Sequence, residues 1–243
     1  MQQVEDIYKH SGKQAVLLLH SFTSNAREMK HLAQVLFEAG YTVYAPNLAG
    51  HGAAPERLFA SSMEHVWQGA QQAFEKLIDD GYEQIAVIGQ SLGGVLGMRL
   101  ANRYMTCHAL AILSSPVLER PIAGLEKRVE FYSQRYLQNN GATEQELADF
   151  LSEHFPRPAE KMIALQRFIV GSQREMSELK QPLLLAKGML DDVVFQESID
   201  LIADAAQSEV IVKKCYEKSG HLLTLGKERD KLAQDVLAFL KKL

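Results

Sequence analysis

Ile85-Ala86-Val87-Ile88-Gly89-Gln90-Ser91-Leu92-Gly93-Gly94-Val95-Leu96 is the stretch on which the reading of this chain turns. Ile85 to Ile88 form an apolar, β-branched run suited to a buried strand, and from Leu92 onward the apolar residues recur at helical spacing. Between them a serine stands with a glycine two residues before it and another two residues after it. A strand that gives way to a helix so abruptly needs a sharp turn. The glycines leave room for the two elements to approach, and a serine at the tip is held in strained geometry with its hydroxyl raised above the sheet. The adjoining helix N-terminus favours negative charge developing beside it. Gly-x-Ser-x-Gly by itself also occurs in ordinary tight turns; the strand before it and the helix after it make Ser91 a candidate nucleophile.

Outward from this turn, short apolar runs alternate with amphipathic stretches. Strands are expected at Ala15 to Leu19, Thr42 to Ala45, Gln84 to Ile88, Ala109 to Leu113, Pro182 to Ala186 and Val210 to Tyr216. Helices are expected at Ala26 to Ala39, Met63 to Asp79, Leu92 to Arg103, Glu197 to Ala206 and Arg229 to Leu240, with Gly40 and Gly81 closing two of them. The nearly unbroken apolar strands fit a sheet covered on both faces, so the fold class is α/β with a mostly parallel, doubly wound sheet. Alternation stops between Pro116 and Lys180, too long an interval for one loop. Three helices are expected there, at Leu125 to Leu137, Thr143 to His154 and Ala159 to Met176, separated by Asn139-Asn140-Gly141 and Pro156-Arg157-Pro158. The organisation is therefore a core of residues 1–115 and 181–243 with a helical cap, or lid, inserted at 116–180.

Composition narrows the function. The 243 residues carry 26 Lys+Arg against 30 Asp+Glu, a net charge of −4, with no long basic run, which gives no electrostatic footprint for nucleic acid or an anionic membrane. No apolar stretch approaches the ~18 residues that span a bilayer, so stable membrane insertion is not expected. Met1 to Gln14 lack the basic start and apolar run of a secretory signal, which places the chain in the cytoplasm. Cys107 and Cys215, distant in sequence and without CxxC spacing, read as buried thiols. There is no HExxH, P-loop or GxGxxG after a strand, so no metal, nucleotide or other cofactor is expected.

A serine nucleophile at neutral pH needs a histidine base and a carboxylate to orient it. His221 lies in the loop between the last strand and the C-terminal helix, at the same sheet edge as Ser91. His10, His31, His65 and His154 read as surface residues and His108 as a strand flank; His51, between Gly50 and Gly52, reads as a turn residue. The acid comes from the loop after the strand at Leu183 to Ala186, where Asp191 and Asp192 are adjacent. One of them would meet His221 and the other would cap the next helix or face solvent. The order Ser, acid, His is that of the α/β-hydrolases.

Several motifs in this order carry a resemblance: Leu18-Leu19-His20-Ser21-Phe22-Thr23, Ala49-Gly50-His51-Gly52, Gly89-Gln90-Ser91-Leu92-Gly93-Gly94, Gly188 to Val194, and Ser219-Gly220-His221. Over nearly its whole length the chain resembles the small microbial carboxylesterases of the α/β-hydrolase superfamily, near the branch of the monoacylglycerol lipases. The resemblance implies a catalytic triad of Ser91, Asp191 and His221, since the acid falls third after glycine in a GxxDxxV pattern matched by Gly188, Asp191 and Val194. It also implies an oxyanion hole from the backbone N–H groups of Phe22 and Leu92. The chain departs from the pattern with Ser21 where glycine is common and Phe195 where proline is common.

The expected activity is hydrolysis of short- to medium-chain acyl esters, small-molecule substrates, through a serine acyl-enzyme. Monoacylglycerol lipase, cofactor-free haloperoxidase and carbon–carbon bond hydrolase share such a triad, and the alternative of another class is a non-catalytic ligand-binding protein on the same fold. Apolar cap residues such as Ile122, Leu125, Val129, Phe131, Tyr132, Met162, Leu165, Phe168 and Ile169 suit an acyl chain better than a charged leaving group. Oligomeric state is not encoded in any of these patterns.

Overall fold

The computed structural model describes residues 4–154 and 158–243. Seven strands form one sheet: β1 (Ile7–Lys9), β2 (Ala15–Leu19), β3 (Thr42–Ala45), β4 (Ile85–Gln90), β5 (Cys107–Leu113), β6 (Leu183–Gly188) and β7 (Ile211–Tyr216). Their order in the sheet is β1-β3-β2-β4-β5-β6-β7, with β1 antiparallel to β3 and every other pair parallel.

The helices are α1 (Lys30–Glu38), α2 (Pro55–Ala60), α3 (Met63–Asp79), α4 (Leu92–Arg103), α5 (Ile122–Asn139), α6 (Glu144–His154), α7 (Pro158–Gly171), α8 (Gln173–Met176), α9 (Val193–Ala205) and α10 (Arg229–Leu240). Side-chain alternation sorts the central strands into two layers. Leu17, Leu19, Val87, Leu110, Ile112 and Leu185 face the helices α3, α4 and α9, while Val16, Leu18, Ile88, Ala111 and Leu184 face α1 and α10. Every residue of β2 is fully buried, as a central strand with both faces covered must be.

The sequence reading needs correction in several places. β1 and α2 were not expected. Ala26–Met29 is a 3-10 turn that precedes α1, not part of a single helix, with the Asn25 side chain accepting the Arg27 N–H at 3.0 Å. The expected helix over Ala159 to Met176 is two: Gly171 ends α7, and the Ser172 hydroxyl turns back to the Ile169 carbonyl at 2.5 Å. The Pro156-Arg157 break and the His154 side chain lie outside the described residues. Cys215 is an exposed thiol, because β7 is the sheet edge and α10 covers only the face that carries Tyr216; Cys107 is buried as expected, and both are free. Among the described residues, no helix is long and apolar enough to cross a membrane.

Candidate active site

Ser91 sits between β4 and α4 at φ 55°, ψ −115°, a conformation costly for a residue with a Cβ. Its N–H is fixed to the Leu113 carbonyl on β5 at 2.8 Å. The flanking glycines serve close approach: a Cβ on Gly93 would lie 2.0 Å from the Leu19 carbonyl oxygen, and one on Gly89 would lie 2.2 Å from the Gly93 carbonyl. The turn thus exists only because these positions have no side chain.

Asp191 and His221 arrive from the loops that follow β6 and β7, at the same end of the sheet. His221 Nε2 is 2.9 Å from Ser91 Oγ, and His221 Nδ1 is 2.9 Å from Asp191 Oδ2. The Asp191 side chain is only 4% exposed, and its other oxygen accepts the Asp192 N–H at 2.9 Å. Asp192 itself is exposed at the N-cap of α9, with no capping hydrogen bond from its side chain. Burial therefore separates the adjacent acids. Gly188 permits the two loops to meet, since a Cβ there would lie 2.4 Å from the Ser219 carbonyl oxygen. The Leu190 N–H donates to that same carbonyl at 3.0 Å.

Electrostatics favour a neutral imidazole. Burial lowers the His221 pKa, Asp191 opposes that shift, and the cations Arg128 and Arg120 reinforce it. With Nδ1–H donated to Asp191, Nε2 keeps its lone pair for the Ser91 hydroxyl proton.

Phe22 follows β2 by three residues and Leu92 follows Ser91 directly, so both stand just past the carboxyl ends of neighbouring strands. The Leu92 N–H opens α4 and has no intrahelical acceptor. The Phe22 N–H donates to no protein acceptor among the described residues. The Phe22 loop is held by three contacts: Thr23, at φ 61°, donates its hydroxyl to the Phe22 carbonyl at 2.6 Å; Ser21 donates both its N–H and its hydroxyl to Glu28; and His20 accepts the Leu48 N–H at 3.0 Å. Burial lowers His20 to about 3, so it stays neutral, and raises the Glu28 carboxyl. Ser21, the departure from the usual glycine, is thus one half of a buried Ser21–Glu28 pair behind the loop.

Gln90, His20 and Glu28 were missed in the sequence. Gln90 donates to the carbonyls of Leu113 at 3.0 Å and His221 at 2.8 Å, and accepts the Leu223 N–H at 3.1 Å. Its place inside the Gly-Gln-Ser motif was the available signal. His51 is buried and lies beside Phe22, its Nδ1 meeting the Ala49 carbonyl at 3.0 Å, in keeping with a turn residue. His10 and His65 are exposed, His108 lies within β5, and His31 is half-buried with Nε2 2.8 Å from Asp230.

Beyond Phe22 opens a largely apolar cavity of about 470 Å³, lined by Ala49, Leu58, Phe59, Met63, Val66, Ala164 and Leu165 among others. Its α7 wall is tied to α2 by Lys161, whose ammonium donates to the carbonyls of Leu58 and Phe59 and whose pKa burial lowers to about 8. No group of three or more metal-ligating side chains occurs among the described residues.

Comparison with known proteins gives the family. Residues 10–229 match the family model described as serine aminopeptidase, S33. A carboxylesterase of Bacillus subtilis (strain 168) is 32% identical over 232 residues, covering 96% of this chain and 94% of that protein. A thermostable monoacylglycerol lipase of Bacillus sp. (strain H-257) is 26% identical over 239 residues, covering 98% and 94%. Among solved structures, one of the metagenome-derived lipolytic enzymes LipS and LipT superposes with a TM-score of 0.80 at 21% identity, covering 98% of both chains.

Proposed function

The chain belongs to the serine aminopeptidase S33 family of α/β-hydrolases, and from that premise we propose that it is a carboxylesterase that cleaves short- to medium-chain acyl esters through Ser91. The observation that carries the reading is the unbroken hydrogen-bonded line Asp191–His221–Ser91, with both links at 2.9 Å and the serine held at positive φ. Ser91 Oγ attacks the ester carbonyl while its proton passes to His221 Nε2. Asp191 holds the imidazole in the required tautomer and stabilises its charged form. The N–H groups of Phe22 and Leu92 receive the oxyanion, a contribution of about 3 to 4 kcal/mol for each such donor in comparable sites. His221 then protonates the leaving alcohol, and a water activated by the same imidazole releases the acid. The reaction requires no cofactor.

Residues 116–180 are assigned to a cap on the core formed by 1–115 and 181–243. Support comes from α7, whose Leu165 and Lys161 line the cavity together with Phe22. The cavity's apolar wall matches an acyl chain. A cytoplasmic setting is part of the proposal, supported by two free thiols of which one is exposed. The monoacylglycerol lipase reading shares every catalytic residue, and the relative from Bacillus sp. (strain H-257) favours keeping it.

The test is covalent labelling with a fluorophosphonate together with turnover of p-nitrophenyl butyrate. Labelling is expected in the native chain and absent in Ser91→Ala. A folded native protein that takes no label and turns over no ester would return the chain to a ligand-binding role.

A further inference from the structure

Two arginines from the segment between β5 and β6 stand beside the site with no acid paired to them. Arg120, just before α5, places its guanidinium carbon 4.8 Å from the centre of the Phe195 ring. Phe195 in turn lies 4.0 Å, centroid to centroid, from the His221 ring. Arg128 follows Leu125 by three residues and precedes Tyr132 by four, so the three share one face of α5. That face is turned inward, for Leu125 is buried and the Tyr132 hydroxyl donates to the Ala53 carbonyl at 2.5 Å. Arg128 interacts electrostatically with Asp191 and Asp192 on the acid loop and with Glu28 behind the Phe22 loop. Its charge is thus felt by acids on both the Asp191 loop and the Phe22 side of the site.

Both guanidiniums are half-buried, and among the described residues neither forms an ion pair or a hydrogen bond. Arg120 Nε is fully enclosed and has no partner. The neighbouring acids are engaged elsewhere or turned to solvent: Asp191 holds His221, Glu28 holds Ser21, and Asp192 is exposed. A guanidinium carries five N–H donors and no acceptor, and leaving such donors dry is costly. Burial lowers both pKa values, that of Arg120 to about 10, yet both groups stay cationic at neutral pH and repel one another.

Resting on the ester-hydrolase reading above, we propose that Arg120 and Arg128 form an anion subsite on the leaving-group side of Ser91, so that the favoured esters carry a carboxylate or phosphate on their alcohol portion. The leaving alkoxide must take its proton from His221 Nε2 and so departs beside the imidazole, against whose ring Phe195 packs with Arg120 next to it. The acyl chain has the separate apolar cavity beyond Phe22. The proposal departs from the expectation of an uncharged leaving group drawn from the apolar cap residues, and gives apolar and cationic groups different parts of the substrate to hold. Carboxylate and phosphate oxygens match the planar fork of a guanidinium. The chemistry itself is ordinary hydrolysis, in which water supplies the hydroxyl that ends on the acid and the proton that ends on the alcohol.

The experiment measures butyrate release from three esters: butyryloxyacetate, its uncharged isostere butyryloxyacetamide, and 2-(butyryloxy)ethyl phosphate. The native chain is expected to favour at least one anionic ester over the amide by about ten-fold in kcat/KM, through KM, as fits a charge-assisted contact. Which anion wins identifies the ligand class. Raising NaCl from 0.02 to 0.5 M should erode the preference. In Arg120→Gln and Arg128→Gln the ratio of anionic to neutral ester should collapse toward unity, and Arg128→Lys should restore part of it. A native chain that cleaves the amide as well as both anions overturns the subsite while leaving the esterase intact, as does a ratio unmoved by the glutamine variants. A native chain that cleaves none of the three, nor p-nitrophenyl butyrate, overturns the esterase reading and the subsite with it.

Discussion

Gln90 holds His221 by its main chain: the Gln90 amide nitrogen donates to the His221 carbonyl at 2.8 Å, across 131 positions of sequence. The residue before the proposed nucleophile thereby ties down the loop that carries the proposed base. Because the same side chain accepts the Leu223 N–H, the strand end and the histidine loop are joined at two points.

Replacing Gln90 by Leu should leave buried polar groups of that loop unpaired, at about 1–3 kcal/mol. For a chain of this size that corresponds to a Tm lower by roughly 2–10 °C in a thermal melt. The same variant should lose kcat more than KM, since the base is displaced and the substrate cavity is untouched. Gln90→Glu keeps the acceptor for Leu223 but turns a carboxylate oxygen toward the Leu113 and His221 carbonyls, so it should be at least as damaging.

Asp191→Asn should preserve the fold but hold the imidazole in the wrong tautomer, lowering turnover by about 10⁴, the scale known for the equivalent change in a serine protease triad. Asp192→Asn, at an exposed position without a capping bond, should stay close to the native rate. Circular dichroism and turnover of one activated ester distinguish the two. A crippled Asp192→Asn with an active Asp191→Asn would reverse the assignment.

The acid limb of kcat/KM should fall below pH 6.5, the ordinary midpoint of a histidine. In the proposed mechanism His221 acts as the neutral base, and burial with Arg128 and Arg120 pushes its pKa down against the pull of Asp191. A lowered pKa keeps the base unprotonated further into acid. Removing a cation reverses part of the shift, so Arg128→Gln should move the limb to higher pH. A pH profile on an uncharged ester reads this directly.

Acyl chain length should matter until the cavity fills. Each added methylene transferred from water is worth about 0.8 kcal/mol, or roughly four-fold in kcat/KM. p-Nitrophenyl esters from acetate to dodecanoate should rise and then level. Leu165→Trp, which fills the cavity from α7, should bring that plateau to shorter chains.

Where local pattern decides structure, the sequence was sufficient. β2, α3, α4 and α10 fall at the residues expected, because continuous apolar runs, helical periodicity and terminal signals all coincide there; Ser62, for example, caps α3 by accepting the His65 N–H. β1 was invisible because three half-buried residues at a sheet edge carry no pattern of their own; their pairing with β3 is a long-range event. The site divides in the same way. Ser91 and His221 sit in recognisable turns; composition leaves Asp191 and Asp192 open, the GxxDxxV resemblance selects Asp191, and in the structure burial separates the two. Glu28, Gln90, Arg120 and Arg128 acquire their surroundings only when distant segments meet.

β5 and β6 are direct neighbours in the sheet, yet α5 to α8 lie between them in the chain. Closing a loop whose ends are already adjacent costs an entropy that grows only with the logarithm of its length, about 0.6 kcal/mol per doubling. The sheet is thus nearly indifferent to how much polypeptide leaves at Leu113 and returns at Leu183. Helices carrying Arg128 and Leu165 hang from that junction, while Ser91, Asp191 and His221 are anchored outside it. Such an arrangement allows that segment to be lengthened, shortened or exchanged at one seam while Ser91, Asp191 and His221 keep their places.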